Sequence, residues 1–163
     1  MIPKVIAPLL WPLYFFCGRI FVIWASRLKP HPLALERFGI RVVAPKDYGS
    51  RDNHGEVFTA LVMLNRFDEE RMELVRKHIR IIFLVPMKIA AVYVETGRGC
   101  ILNLEKFPEC PAGTLPIAIA GKLVYFATLA KFKRGFVTSE AVKDICKEEQ
   151  QRTVQKLTEI LCE

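Results

Sequence analysis

The chain is poor in the residues that most metal sites and oxidised folds require. Its 163 residues include three histidines, His31, His54 and His78. No two are four apart, so one helical turn cannot offer two imidazoles to a metal. The five cysteines, Cys17, Cys100, Cys110, Cys146 and Cys162, are odd in number, scattered and free of any CxxC pair. That pattern argues against a disulfide framework or a thiolate zinc knuckle and fits a reducing compartment. Cys100 and Cys110 read as buried packing rather than as a reactive pair. Phosphate-loop and GxGxxG patterns, internal repeats and low-complexity stretches are also missing, so no nucleotide cradle or solenoid is indicated.

What the chain does have is apolar mass and positive charge. Apolar residues make up 52%, too many for an unfolded chain, and the length suits one domain plus an appendage. Lys and Arg number 24 against 17 Asp and Glu, a net charge of +7. Arg71, Arg76, Lys77 and Arg80 form one basic set and Lys131, Lys133 and Arg134 another, with no nucleic-acid module or stacking platform beside them. Nucleic acid is therefore not expected as a partner. Anionic headgroups or acidic protein surfaces suit the charge better, at about 1 kcal/mol per basic residue near a membrane.

Residues 5–26 carry a single charge, Arg19, over 22 positions, long enough to cross a hydrocarbon layer of about 30 Å. Trp11, Tyr14 and Trp24 supply interfacial aromatics, and Arg19, past the midpoint, can snorkel toward the nearer headgroups. A membrane span is the leading reading. An in-plane interfacial helix and a core helix or protein-bound tail stay open, while a signal peptide fits less well, with one lysine ahead of the stretch and two prolines within it. Arg27, Lys29, Arg37 and Arg41 follow the segment, which by the positive-inside rule puts the rest of the chain on the cytoplasmic side. The expected organisation is an anchor over residues 1–28, a proline-bearing linker over 29–54 and a domain over 55–163.

Within the domain, residues 57–64 form an apolar run too short to assign by period. Asp68, followed by Glu69 and Glu70, predicts a helix start, with Met72, Val75 and Ile79 inward and Arg71, Lys77, His78 and Arg80 mostly outward. The next apolar stretch, 81–84, reads as a strand, and 90–95 and 100–104 as a hairpin around Thr96-Gly97-Arg98-Gly99. A helix beginning near Leu115 or Ile117 is apolar nearly all round, as suits a central core helix. Thr138 or Ser139 then caps a final amphipathic helix. The expected class is α+β, a small antiparallel sheet of about three strands packed on a central apolar helix and a long C-terminal helix, behind one N-terminal transmembrane helix.

The succession FDEERMELVRKHIRII, GRGCILNLEKFP, AGKLVYFATLAKFKRGFV and SEAVKDICKEEQQRTVQKL, over roughly residues 58–157, resembles a family of small zinc metallopeptidase-like proteins. In that family the central helix carries His-Glu-Ala-Thr-His, in which two imidazoles bind zinc and the glutamate acts as general base. The resemblance places Tyr125, Phe126, Ala127, Thr128 and Leu129 on those positions. Ala127 and Thr128 match, but Tyr125 and Leu129 are not zinc ligands near neutrality, and Phe126 cannot act as a base. Glu148 or Glu149 stands where a third ligand could arise, and one carboxylate cannot hold zinc alone. The resemblance thus implies a degenerate zincin-like domain, a pseudoenzyme without catalytic residues, metal or cofactor.

Taken together, these readings describe a single-pass membrane protein acting as a non-catalytic accessory or structural subunit of a larger complex. Its expected partners are membrane lipid and other subunits, met through the N-terminal helix and the basic surface. A membrane-anchored hydrolase with an atypical site and a basic nucleic-acid adaptor are the competing readings.

Overall fold

The computed structural model describes residues 35–44, 51–86, 88–95, 98–107, 114–132 and 139–162. The expected N-terminal span, with Trp11, Tyr14, Arg19 and Trp24, lies outside them, as does Cys110. The elements run β1 (Leu35–Arg37), β2 (Ile40–Val43), α1 (Arg51–Phe67), α2 (Glu69–His78), β3 (Ile81–Leu84), β4 (Ala91–Val94), β5 (Gly99–Leu102), a short 3-10 turn (Leu104–Lys106), α3 (Leu115–Phe132) and α4 (Glu140–Cys162). The class is α+β.

The sheet corrects two expectations. It has five strands in the order β1-β2-β3-β5-β4 and is mixed, with β3 parallel to both β2 and β5 and only the outer pairs antiparallel. Parallel pairing requires a long crossover, here the α1–α2 pair between β2 and β3, and no local signal announces it. The stretch read as linker supplies β1, β2 and the first turn of α1. Its hairpin turns on Phe38 and Gly39, both in the left-handed region at φ of 56° and 74°. Glycine adopts that conformation freely, whereas phenylalanine there is costly and atypical of a two-residue hairpin loop. Packing of Phe38 against the main core offsets the cost.

Strand alternation sorts the side chains. Ile40, Val42, Ile82, Leu84, Cys100 and Leu102 join the main core with the helices, while Ile81 and Phe83 form a second cluster with Val43 and Ile101. The unassigned run 57–64 proves helical within α1, contributing Val57, Leu61 and Leu64 to the core. Asp68 stands at the start of α2 as expected, but its side chain makes no capping hydrogen bond. Ser139 does cap α4, its Oγ accepting from the Val142 N–H at 3.3 Å. On α4, Cys146, Thr153 and Leu157 are buried, whereas Ile145 and Leu161 are exposed.

The centre of the fold is α3. Its 18 residues have a mean hydropathy of 1.4, long and apolar enough to cross a membrane, yet 56% of the helix is buried inside this domain. That burial accounts for its apolarity. Gly121 is what allows α4 to approach it, since a Cβ there would lie 2.7 Å from Val154 Cγ2 and 3.3 Å from Gln150 Cγ. Gly55 on α1 has open space around it. Gly121→Ala is therefore expected to lose about 1–3 kcal/mol of stability in urea unfolding through overpacking. Gly55→Ala should be neutral or gain up to about 1 kcal/mol.

Candidate functional site

The positions matched to the zinc motif sit on the second half of α3 and are filled by an aromatic cluster. Phe126, 5% exposed, stacks on Tyr93 of β4 with ring centroids 5.9 Å apart and meets Tyr125 edge-on at 5.8 Å. Both geometries lie in the favourable range for aromatic pairs. Lys122, one turn earlier, places its Nζ 4.5 Å from the Tyr125 ring centroid and 5.3 Å from that of Phe126. A resident ammonium thus stands over the two rings as a cation–π cap. Leu129 is half-buried on the same helix.

The phenols and the buried thiol here stay protonated near neutral pH. Burial, and then the nearby Glu95, push the Tyr93 phenol up to about 12. The protonated hydroxyl donates to the His78 carbonyl at 3.3 Å, tying β4 to the end of α2. Burial is also the main cause that raises the Tyr125 phenol, with the Cys146 thiol adding to it, and burial lowers Lys122. The Cys100 thiol is raised well above its usual value because the side chain is wholly buried. Such a thiol packs and does not react.

Glu148 and Glu149 do not join this cluster. The groups that act electrostatically on Tyr125 are Cys146, Lys147, Lys143 and Glu140, all earlier on α4. Glu149 instead accepts from Arg71 Nε (3.2 Å) and Nη2 (3.0 Å) through one oxygen and from Arg152 Nη1 (3.2 Å) through the other. Arg71 also donates through Nη1 to Asp68 at 2.7 Å, Lys156 reaches Asp68 at 3.4 Å, and Arg152 bridges on to Glu148 at 2.6 Å. Arg71, expected outward, is therefore the hinge of a lattice that pins α4 to the start of α2. The i,i+3 spacing of Asp68 and Arg71 was visible in the sequence, whereas the reach of Arg71 to Glu149, 78 positions away, was not.

Beside the lattice, α2, the end of α3 and the middle of α4 enclose an open cleft of about 580 Å³, with Leu74, Thr128, Phe132 and Ile145 among its walls. Thr128 is 2% exposed and its Oγ1 has no hydrogen-bond partner among the described residues. Lys77, His78 and Lys131 line one part of the cleft, and Arg71, Glu149 and Arg152 another. Burial first, then Lys77, Arg98 and Lys131, hold the His78 imidazole below its ordinary pKa. Among the described residues, no group of three or more His, Cys, Asp or Glu side chains is placed to hold a metal ion. Compared with known proteins, the chain matches no family model, no curated protein and no solved structure.

Two measurements test this geometry. Arg71→Ala leaves Asp68, 4% exposed, facing Lys156 alone and should cost about 2 kcal/mol in denaturant unfolding. Glu148→Gln, at an exposed pair, should change stability by less than about 0.5 kcal/mol. Because the folded state lowers the His78 pKa, the unfolded chain binds more protons below about pH 6.5. Stability should hold above that pH and fall as acid is added through the window beneath it, and His78→Gln should remove that part of the slope.

Proposed function

We propose that the chain is a non-catalytic accessory subunit of a membrane assembly: an N-terminal single-pass anchor bearing a docking domain on the cytoplasmic side. The domain is a zincin-like scaffold whose catalytic positions have become packing. The observation that carries this reading is the filling of those positions by Tyr125 and Phe126, stacked on Tyr93 and capped by Lys122. Where an active relative needs two lone-pair donors and a base, this helix offers two rings and an ammonium, which hold shape and transfer no proton near neutral pH. Glu149, one of the two carboxylates placed where a third ligand could arise, has both oxygens committed to arginines. The same pairing weighs against a nucleic-acid adaptor, because Arg71 and Arg152 face carboxylates and not solvent phosphates.

The anchor reading rests on residues 5–26, with their single charge and flanking cations. Membranes from cells expressing the full chain should retain it through high salt and alkaline carbonate. In mild detergent it should migrate in a gradient as part of an assembly several times its own mass of 18.7 kDa. Recovery as a monomer that needs no detergent overturns the reading.

A further inference from the structure

The cleft between α2, α3 and α4 joins two features that neither the aromatic cluster nor the ion-pair lattice uses. Its wall contains Phe132 and Ile145, 42% and 40% exposed, two of the four large apolar side chains left exposed among the described residues. Leu74 continues the same apolar floor. Next to it stand Lys77 and Lys131, neither of which has a carboxylate partner among the described residues, with Lys131 Nζ 5.1 Å from the Phe132 ring centroid. Arg98, in the hairpin turn, adds to the positive potential felt by His78. Of the three acidic residues that line the cleft, Glu149 is bridged twice, Glu73 faces Arg76 at 3.8 Å, and Glu70 stands seven positions before Lys77 on α2. The positive end therefore comes from three chain segments that meet only in the folded molecule.

We propose that this cleft is the docking site for an acidic amphipathic helix of a partner protein. One or two apolar side chains of that helix seat on Leu74, Phe132 and Ile145, while its carboxylates meet Lys77 and Lys131. The inference rests on the reading of the domain as a docking module and names the partner's chemistry. Charge complementarity selects the sign, since an acidic helix satisfies two ammonium groups that have no carboxylate partner among the described residues. Shape favours a helix over a bilayer, because these apolar side chains line an open cleft between three helices and not a flat face. The stretch of α2 from Glu70 to His78 that flanks the cleft is about 12 Å long at 1.5 Å per residue. That matches two turns of a bound helix presenting side chains at i, i+3 and i+4. Both α2 and α3 end here, and the lysines also offset the partial negative charge of those helix ends. That role explains one basic residue on each helix, but not their convergence beside an exposed phenylalanine.

The test uses the full chain in phosphatidylcholine nanodiscs and a fluorescein-labelled helical peptide of about 15 residues. The peptide carries leucine and phenylalanine on one face and glutamate on its flanks, and binding is read by fluorescence anisotropy. Saturable binding is expected. It should weaken about tenfold in Lys77→Glu combined with Lys131→Glu and about tenfold in Phe132→Ala. Arg41→Glu, an exposed position on β2 away from the cleft, should leave it unchanged. Circular dichroism should show each variant folded, as the three substituted cleft positions are exposed. Absence of saturable binding, equal binding by all variants, or equal binding of a peptide with serine in place of leucine and phenylalanine overturns the proposal. Phosphatidylserine vesicles that bind with the same dependence on Lys77, Lys131 and Phe132, where the peptide does not, assign the cleft to lipid and overturn it too. The two readings fail separately. A charge-reversed chain that still migrates in its membrane assembly leaves the subunit reading standing, and a detergent-independent monomer that binds the peptide leaves the cleft standing.

Discussion

Burial of α3 on nearly every side is the constraint from which the rest of the domain follows. An 18-residue helix this apolar must be covered by something. Here α1, α2 and α4 cover it together with the inner face of the sheet, through a continuous core from Ile40 to Leu157. Close approach of α4 is possible because Gly121 has no side chain to collide with Val154. Once α4 lies there, Glu149 comes within reach of Arg71, and the lattice from Lys156 to Glu148 forms as a consequence of the packing. The lattice adds orientation more than energy, since most of its members are partly solvated and screened. Its buried anchor, Asp68, is the exception.

The same burial explains the residue types on the second half of α3. On the buried face of such a helix, a polar side chain needs a partner or costs stability. Phe126 and Tyr125 meet that demand with ring contacts to Tyr93 and to each other, and Lys122 adds a cation that needs no carboxylate. Thr128 is the one polar member of the motif-like stretch whose hydroxyl is buried without a partner among the described residues, and it borders the cleft. The cleft lies at the seam where α2, the end of α3 and α4 meet, and the residues of the aromatic cluster are not among its walls.

Much of this was legible in the chain and some was not, for reasons that particular residues make clear. The apolar all-round pattern of 115–132 marked a central helix, the acids after Asp68 marked the start of α2, and the glycines near Arg98 marked the β4–β5 hairpin. These are local signals, set by periods and turn chemistry. The β1–β2 hairpin escaped because its turn is Phe38-Gly39 and its neighbourhood is rich in proline. The parallel pairs escaped because the partners of β3 are about 40 positions before it and 18 after it, and nothing in a strand names its neighbour. Arg71 read as an outward residue for the same reason, as its period was right and its partner distant.

From the chain alone came the class of the domain, the identity of its core helix and the aromatic and aliphatic character of Tyr125, Phe126 and Leu129, because those are properties of residue type and spacing. Tertiary structure alone decided that Glu149 belongs to Arg71 and not to α3, that Lys77 and Lys131 converge beside Phe132, and that the sheet is mixed. Each of those depends on which distant segments touch, and contact between distant segments is set by how apolar faces and volumes fit once the whole chain has closed around α3.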